Sequence, residues 1–138
     1  MKADVLKQVA TNLIDGKVDV AAQIVQKEYP FVYVERAKRT YTESQKMKQF
    51  IKDGFIDRYS GDKLVNPGIL KVITCYLPKD FPYHPHGKMD ECHNAYWELI
   101  PSVDHIYPIA RGGLDNEDNY VTTSMLHNLI KNNFCLRL

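Results

Sequence analysis

The sequence predicts an α+β fold: a mainly helical N-terminal part, then two short strands and a helix at the C-terminal end. Three observations carry this. Apolar residues recur at helical spacing through residues 3–30. A capping-box pattern and a helix-starting proline mark further helices between residues 42 and 77. Two β-prone pieces, Val103-Asp104-His105-Ile106 and Val121-Thr122, flank a turn at Arg111-Gly112-Gly113 and lead into a helix that Thr123 or Ser124 can cap. At 138 residues, with 44% hydrophobic and 25% charged side chains, the chain suits one compact domain or a core with a helical extension.

In order along the chain, Val5, Leu6, Val9, Ala10, Leu13 and Ile14 form the first helical stripe, and Gly16 stops it. Asp19 is placed to cap a second helix carrying Val20, Ala21, Ile24 and Val25, which must end before Pro30. Thr42-Glu43-Ser44-Gln45 opens a third helix, with Met47, Phe50 and Ile51 on one face, and Asp53-Gly54 breaks it. Residues 55–61 read as a short extended piece entering a turn. Pro67 starts a fourth helix, whose buried face is expected to be Leu70, Ile73 and Leu77. Residues 78–88 hold three prolines and read as an irregular loop; Tyr96, Trp97 and Leu99 are expected to form core beside the first strand. The final helix is expected to run to about residue 133.

Composition excludes a wholly disordered, collagen-like or disulfide-dense chain, and no run approaches the roughly 18 apolar residues of a membrane-spanning helix. Met1-Lys2-Ala3-Asp4 meets an acidic residue at once, so no secretory signal is expected. Cys75, Cys92 and Cys135 lack any Cys-x-x-Cys pairing and read as reduced thiols of an intracellular protein. The net charge of +1 hides a segregation. Residues 1–35 carry −1, residues 36–63 carry +4 and residues 64–138 carry −2. Cations in one segment and carboxylates in another suit an enzyme that grips phosphates and binds a metal.

The chemistry concentrates in residues 103–131. Hydrolysis of a phosphodiester needs a base for water, an electrophile for the phosphate and relief of charge on the leaving oxygen. His105 has the right ordinary pKa for a base near neutral pH. Asp104 is a hard oxygen ligand for a divalent cation, and an asparagine carbonyl is another. On an extended chain, adjacent Asp104 and His105 point to opposite sides, which separates a metal ligand from a base.

The pattern Asp104-His105-Ile106-x-Pro108 followed by Gly112-Gly113, with Asn119 14 residues after His105 and Asn128 9 further on, closely resembles the His-Asn-His (HNH) endonuclease family. The resemblance is strong over residues 103–131. It extends loosely to Arg58-Tyr59-Ser60-Gly61 and to residues 91–99, as in a bacterial branch of that family. It implies a ββα-metal finger at about residues 102–133, within a nuclease domain of residues 55–138 that follows a helical region, residues 1–54. It implies further that His105 activates water, that Asp104 binds the metal and that Asn119 holds the loop and orients His105. The third motif position falls on Asn128, as in a His-Asn-Asn variant, which makes Asn128 the second metal ligand. His127, one residue earlier, is the alternative; neighbouring helical residues diverge by about 100°, so both cannot easily face one ion.

Arg58, Arg111 and Lys131 are the expected contacts to the DNA backbone. The implied cofactor is Mg²⁺, Mn²⁺ or another divalent cation. Many family members add two Cys-x-x-Cys pairs around a structural zinc; here Arg58-Tyr59-Ser60-Gly61, and Ser124 with His127, stand in those places, so no such zinc is expected. His84, His86, Cys92 and His93 are expected to pack or face solvent rather than hold zinc. DNA is the expected partner, a homodimer is plausible for double-strand cutting, no membrane is involved and the location is cytoplasmic in a bacterial or phage-like setting. The reading from another class is a non-catalytic nucleic-acid or protein binding module on the same fold.

Overall fold

The structure, a computed structural model, describes residues 1–135. It is a mixed α+β chain that divides into two units, Met1–Val34 and Glu35–Leu138. No helix among the described residues is long and apolar enough to cross a membrane.

The first unit is a helical hairpin. Helix α1 (Lys2–Ile14) ends where Gly16 takes φ +72°, and α2 (Val18–Glu28) packs back on it. Ala21 is its buried residue. Asp19 lies inside the first turn of α2, where its charge favours the helix dipole, but Lys17 occupies the cap position and no side chain caps it.

The second unit begins twenty residues earlier than the sequence boundary at 54/55. Helix α3 (Glu43–Lys52), grouped by sequence with the N-terminal helices, packs on both strands instead. The cause is its apolar face: Phe50 is buried against Val103 and Tyr120, with Tyr41 and Phe55 around them. The capping box forms in full. Thr42 accepts from the Gln45 backbone N–H, and the Gln45 side chain accepts from the Thr42 N–H. After α3, Gly54 and Phe55 both take positive φ, so residues 55–61 form a tight turn closed by an isolated Ile56–Lys63 bridge rather than an extended piece.

Helix α4 (Pro67–Tyr76) starts at a proline behind an Asn66 cap. Leu70 is buried, but Leu77 is exposed, because the helix ends at Tyr76 and Leu77 falls outside its periodicity. A loop and the short helix α5 (Ala95–Glu98) follow. Leu70, Cys92, Ala95 and Tyr96 form one core cluster, with Trp97, Leu99 and Ile100 packed against it. Strands β1 (Pro101–His105) and β2 (Tyr120–Ser124) pair antiparallel, with His105 opposite Tyr120 and Asp104 opposite Val121. Helix α6 (Met125–Lys131) begins at once, capped by the Ser124 hydroxyl. It is shorter than the sequence suggests: Asn132 takes φ +48° and ends it.

One fully buried carboxylate joins these pieces. Asp57 accepts hydrogen bonds from the backbone N–H of Ser124 (2.9 Å) and Tyr59 (2.9 Å), from the Thr123 hydroxyl (3.0 Å) and from His127 Nδ1 (2.6 Å). Burial pushes this carboxyl up, yet the donors outweigh it and hold it at about 2. A depressed folded value means stability that is complete above the ordinary carboxylate pKa and lost as pH falls through the folded one. Asp57 therefore contributes about 2 kcal/mol at neutral pH, lost between about pH 4 and pH 2. Asp57→Ala, which orphans several buried donors, is expected to lower stability by about 3 kcal/mol at pH 7. Urea unfolding across a pH series checks both: the gap between wild type and variant should stay level from pH 7 to 5 and narrow below pH 4.

Candidate functional site

The two-stranded sheet has unequal edges. The outer edge of β2 is taken: Asp53 accepts from the Thr122 N–H, and the Arg58 N–H donates to the Thr122 carbonyl. All five residues of β1 line a cleft of about 330 Å³ along its other edge, which Asn128 of α6 and the cations Arg39 and Lys46 also line. Strand alternation sends His105, Val103 and Tyr120 to the α3 side and Asp104 and Ser102 to the α6 side.

On the α3 side, the His105 side chain is only 4% exposed, and its Nε2 is hydrogen-bonded to Asp115 Oδ1 at 2.8 Å. The rings of Tyr41 and Tyr120 box it at 6.0 and 5.3 Å. Asp115 also accepts from the Tyr120 hydroxyl at 2.8 Å and from both the N–H and the hydroxyl of Thr40. Burial raises the Asp115 carboxyl, but these donors, His105 first, outweigh it and hold it at about 2. Tyr120 is pushed up to about 12 by burial and by its bond to that carboxylate.

Asn119 ties the loop between the strands into a fixed shape. Its amide donates to the carbonyls of Tyr107 (2.9 Å) and Leu114 (2.8 Å), and its oxygen accepts from the Tyr107 N–H (2.8 Å). Asn119 thus acts on the loop, while the direct hold on His105 belongs to Asp115. The glycine pair has a steric cause. Gly112 takes φ +94°, and a Cβ on Gly113 would lie 1.9 Å from the Tyr107 carbonyl oxygen.

On the α6 side, Asp104 Oδ2 accepts from the Tyr59 hydroxyl at 2.7 Å and pairs with the Lys131 ammonium at 2.8 Å. Burial and the Asp104 charge push the Tyr59 phenol well above its ordinary value. Lys131 also donates to the His105 carbonyl at 3.0 Å and lies 5.8 Å from the Tyr59 ring centre. Only 2% of Lys131 is exposed, so it is an internal counter-charge to Asp104 rather than a free cation offered to phosphate. Its position on the last turn of a short helix packed against β1 drives it inward.

The Asn128 amide nitrogen donates to the Ser102 hydroxyl at 2.8 Å, and Asn128 lines the same cleft as Asp104. His127 faces elsewhere: Nδ1 is bound to Asp57, and the ring lines a different cleft with Tyr59 and Ser60. Arg58 and Arg111 are exposed, at the β2 edge and in the turn at Ile109–Arg111. His84, Cys92 and His93 are occupied in local packing: the Cys92 sulfur accepts from the His84 N–H, and His93 stacks on Phe81 at 4.1 Å. Among the described residues, no three His, Cys, Asp or Glu side chains converge as a metal cage.

A divalent cation fits the donor set of Asp104 and Asn128: one carboxylate and one amide oxygen, both hard, in a cleft with room for water ligands. Residues that the sequence pattern did not single out are Asp115, Asp57, Tyr59 and Arg39. The one signal for Arg39 was the cationic excess of residues 36–63. No known family model, curated protein or solved structure matches the chain.

Lys131→Met removes a charge from a buried pair and leaves Asp104 uncompensated, and is expected to lower stability by about 3–5 kcal/mol. Urea unfolding checks this. A loss below about 1 kcal/mol would place the ammonium outside the pair.

Proposed function

We propose that this chain is a metal-dependent endonuclease of the HNH type that hydrolyses DNA phosphodiester bonds. The observation that carries the reading is the convergence on one cleft of Asp104, His105 and Asn128, from β1 and α6, beside a loop fixed by Asn119. These are the residues that the family resemblance selects by spacing alone.

The geometry supports the following roles. A water in the cleft attacks the phosphorus, and His105 takes its proton; with Nε2 held by Asp115, Nδ1 is the nitrogen left for that task. The bond from phosphorus to the 3′ oxygen breaks and that oxygen takes a proton from water, which leaves a 5′-phosphate and a 3′-hydroxyl. Asp104 and Asn128 are the residues that would hold a divalent cation. When bound, that cation supplies positive charge to the phosphate and to the departing oxygen. Lys131 and Tyr59 fix the Asp104 carboxylate, so the ligand is preorganised rather than free to swing. Asn119 keeps the loop in register, and so keeps Asp115 against His105. Arg39 and Lys46, which line the same cleft, supply cations for the DNA backbone there, Lys46 once released from its exposed partner Glu43 (2.6 Å), and exposed Arg58 and Arg111 extend the contact beyond it.

A plasmid-nicking assay with Mg²⁺, Mn²⁺, Co²⁺ and Ni²⁺ tests the reading. Wild type should convert supercoiled to nicked or linear DNA only with metal, and His105→Ala should be slower by about 10²–10⁴-fold. Equal metal-dependent cleavage by both proteins would sink the mechanism. Binding without cleavage in every metal would favour a binding module on this fold.

A further inference from the structure

We infer that Asp115 is the positioning residue that sets the tautomer and orientation of His105, an inference that takes its catalytic meaning from the nuclease reading above. The geometry is that of a carboxylate aimed at an imidazole inside a closed box. Asp115 Oδ1 meets His105 Nε2 at 2.8 Å, and the two side chains are 5% and 4% exposed. A carboxylate only accepts, so the nitrogen facing it carries the proton. In the neutral ring Nδ1 is then the lone-pair nitrogen, and His105 borders the cleft that Asp104 and Asn128 share.

The carboxylate itself is unable to drift. Tyr120 holds the oxygen that faces His105, and Thr40 holds the other with both its N–H and its hydroxyl. Thr40 follows Arg39, which lines the cleft, and precedes Tyr41, whose ring packs beside His105. The same carboxylate therefore anchors the base and the segment that delivers a cation to the cleft. A backbone-fixing role alone would need the Thr40 contacts; it would not need a charged oxygen on the imidazole.

Asp115→Asn separates the two roles. The asparagine oxygen can still accept from Thr40, while its amide presents a donor to Nε2. That favours the Nδ1–H tautomer and leaves Nδ1 without a lone pair. Long-range ¹H–¹⁵N correlation spectra of the imidazoles, at a pH where they are neutral, read the tautomer without any need for cleavage. Wild type is expected to show the Nε2–H form at His105, and Asp115→Asn the Nδ1–H form. Cleavage by the variant should fall about 10²–10⁴-fold in kcat, as in hydrolases where a buried aspartate orients the base. DNA binding, measured by anisotropy in Ca²⁺, should change less than about threefold.

An Nδ1–H tautomer in wild type would overturn the inference, and that measurement stands even if the variant does not fold. An unchanged tautomer and an unchanged kcat in Asp115→Asn would overturn it as well. If the tautomer switches but wild type cleaves nothing in any metal, the hold of Asp115 on His105 stands and the nuclease reading falls.

Discussion

The arrangement depends on a single fully buried carboxylate. Asp57 takes the N–H at the helix cap of α6, the hydroxyl of Thr123 before it, the N–H of Tyr59 and the imidazole of His127. It thereby joins the turn after α3 to the junction of β2 and α6. The consequence is chemical as well as mechanical. With the turn fixed, the Tyr59 hydroxyl reaches Asp104, and with α6 fixed, Lys131 reaches both Asp104 and the His105 carbonyl. A two-stranded sheet is marginal alone in water. Here α3 covers one face, α6 the other, and Asp57 locks the seam.

Local signals were legible in the sequence where local chemistry decides the outcome. The Thr42 capping box, Pro67 at a helix start and Ser124 at another are interactions within three residues, and each forms as the pattern says. Both strands lie where β-prone residues flank the glycine turn. Asp115 and Asp57 were not legible. Thr40 is 75 positions from Asp115 and Thr123 is 66 from Asp57, so no period or spacing marks either carboxylate as buried. In sequence they read as ordinary turn residues. Lys131 was misplaced for the same reason: a lysine at the end of a helix is usually solvated, and only the packing of α6 on β1 turns it inward.

Charge shows the same division between what averages conceal and what packing arranges. The excess in residues 36–63 does not spread over one helix face. Arg39 and Lys46 line the β1 cleft, Lys46 beside its partner Glu43, whereas Lys131, from the segment with an acidic excess, is buried against Asp104. Counting cations by segment therefore points to the region whose cations line the cleft, but not to which of them do. Asp57, counted among the charges of that segment, is buried, so its carboxylate does not face a ligand at all.

The two halves of the site are built on opposite faces of one strand, and that separation has a physical logic. Asp104 and His105 are neighbours, and both border the cleft along β1, but from opposite faces of the strand. Strand alternation parts them. Each then has its own supporting group from a distant part of the chain: Tyr59 and Lys131 for Asp104, Asp115 for His105. In the nuclease proposed above, Asp104 would serve as a restrained metal ligand and His105 as a base with one nitrogen held by a carboxylate. A buried cation stands against the first and a buried carboxylate against the second, within two adjacent residues. Neither arrangement can be set by the dipeptide alone, which is why an Asp-His pair means little until the residues around it are in place.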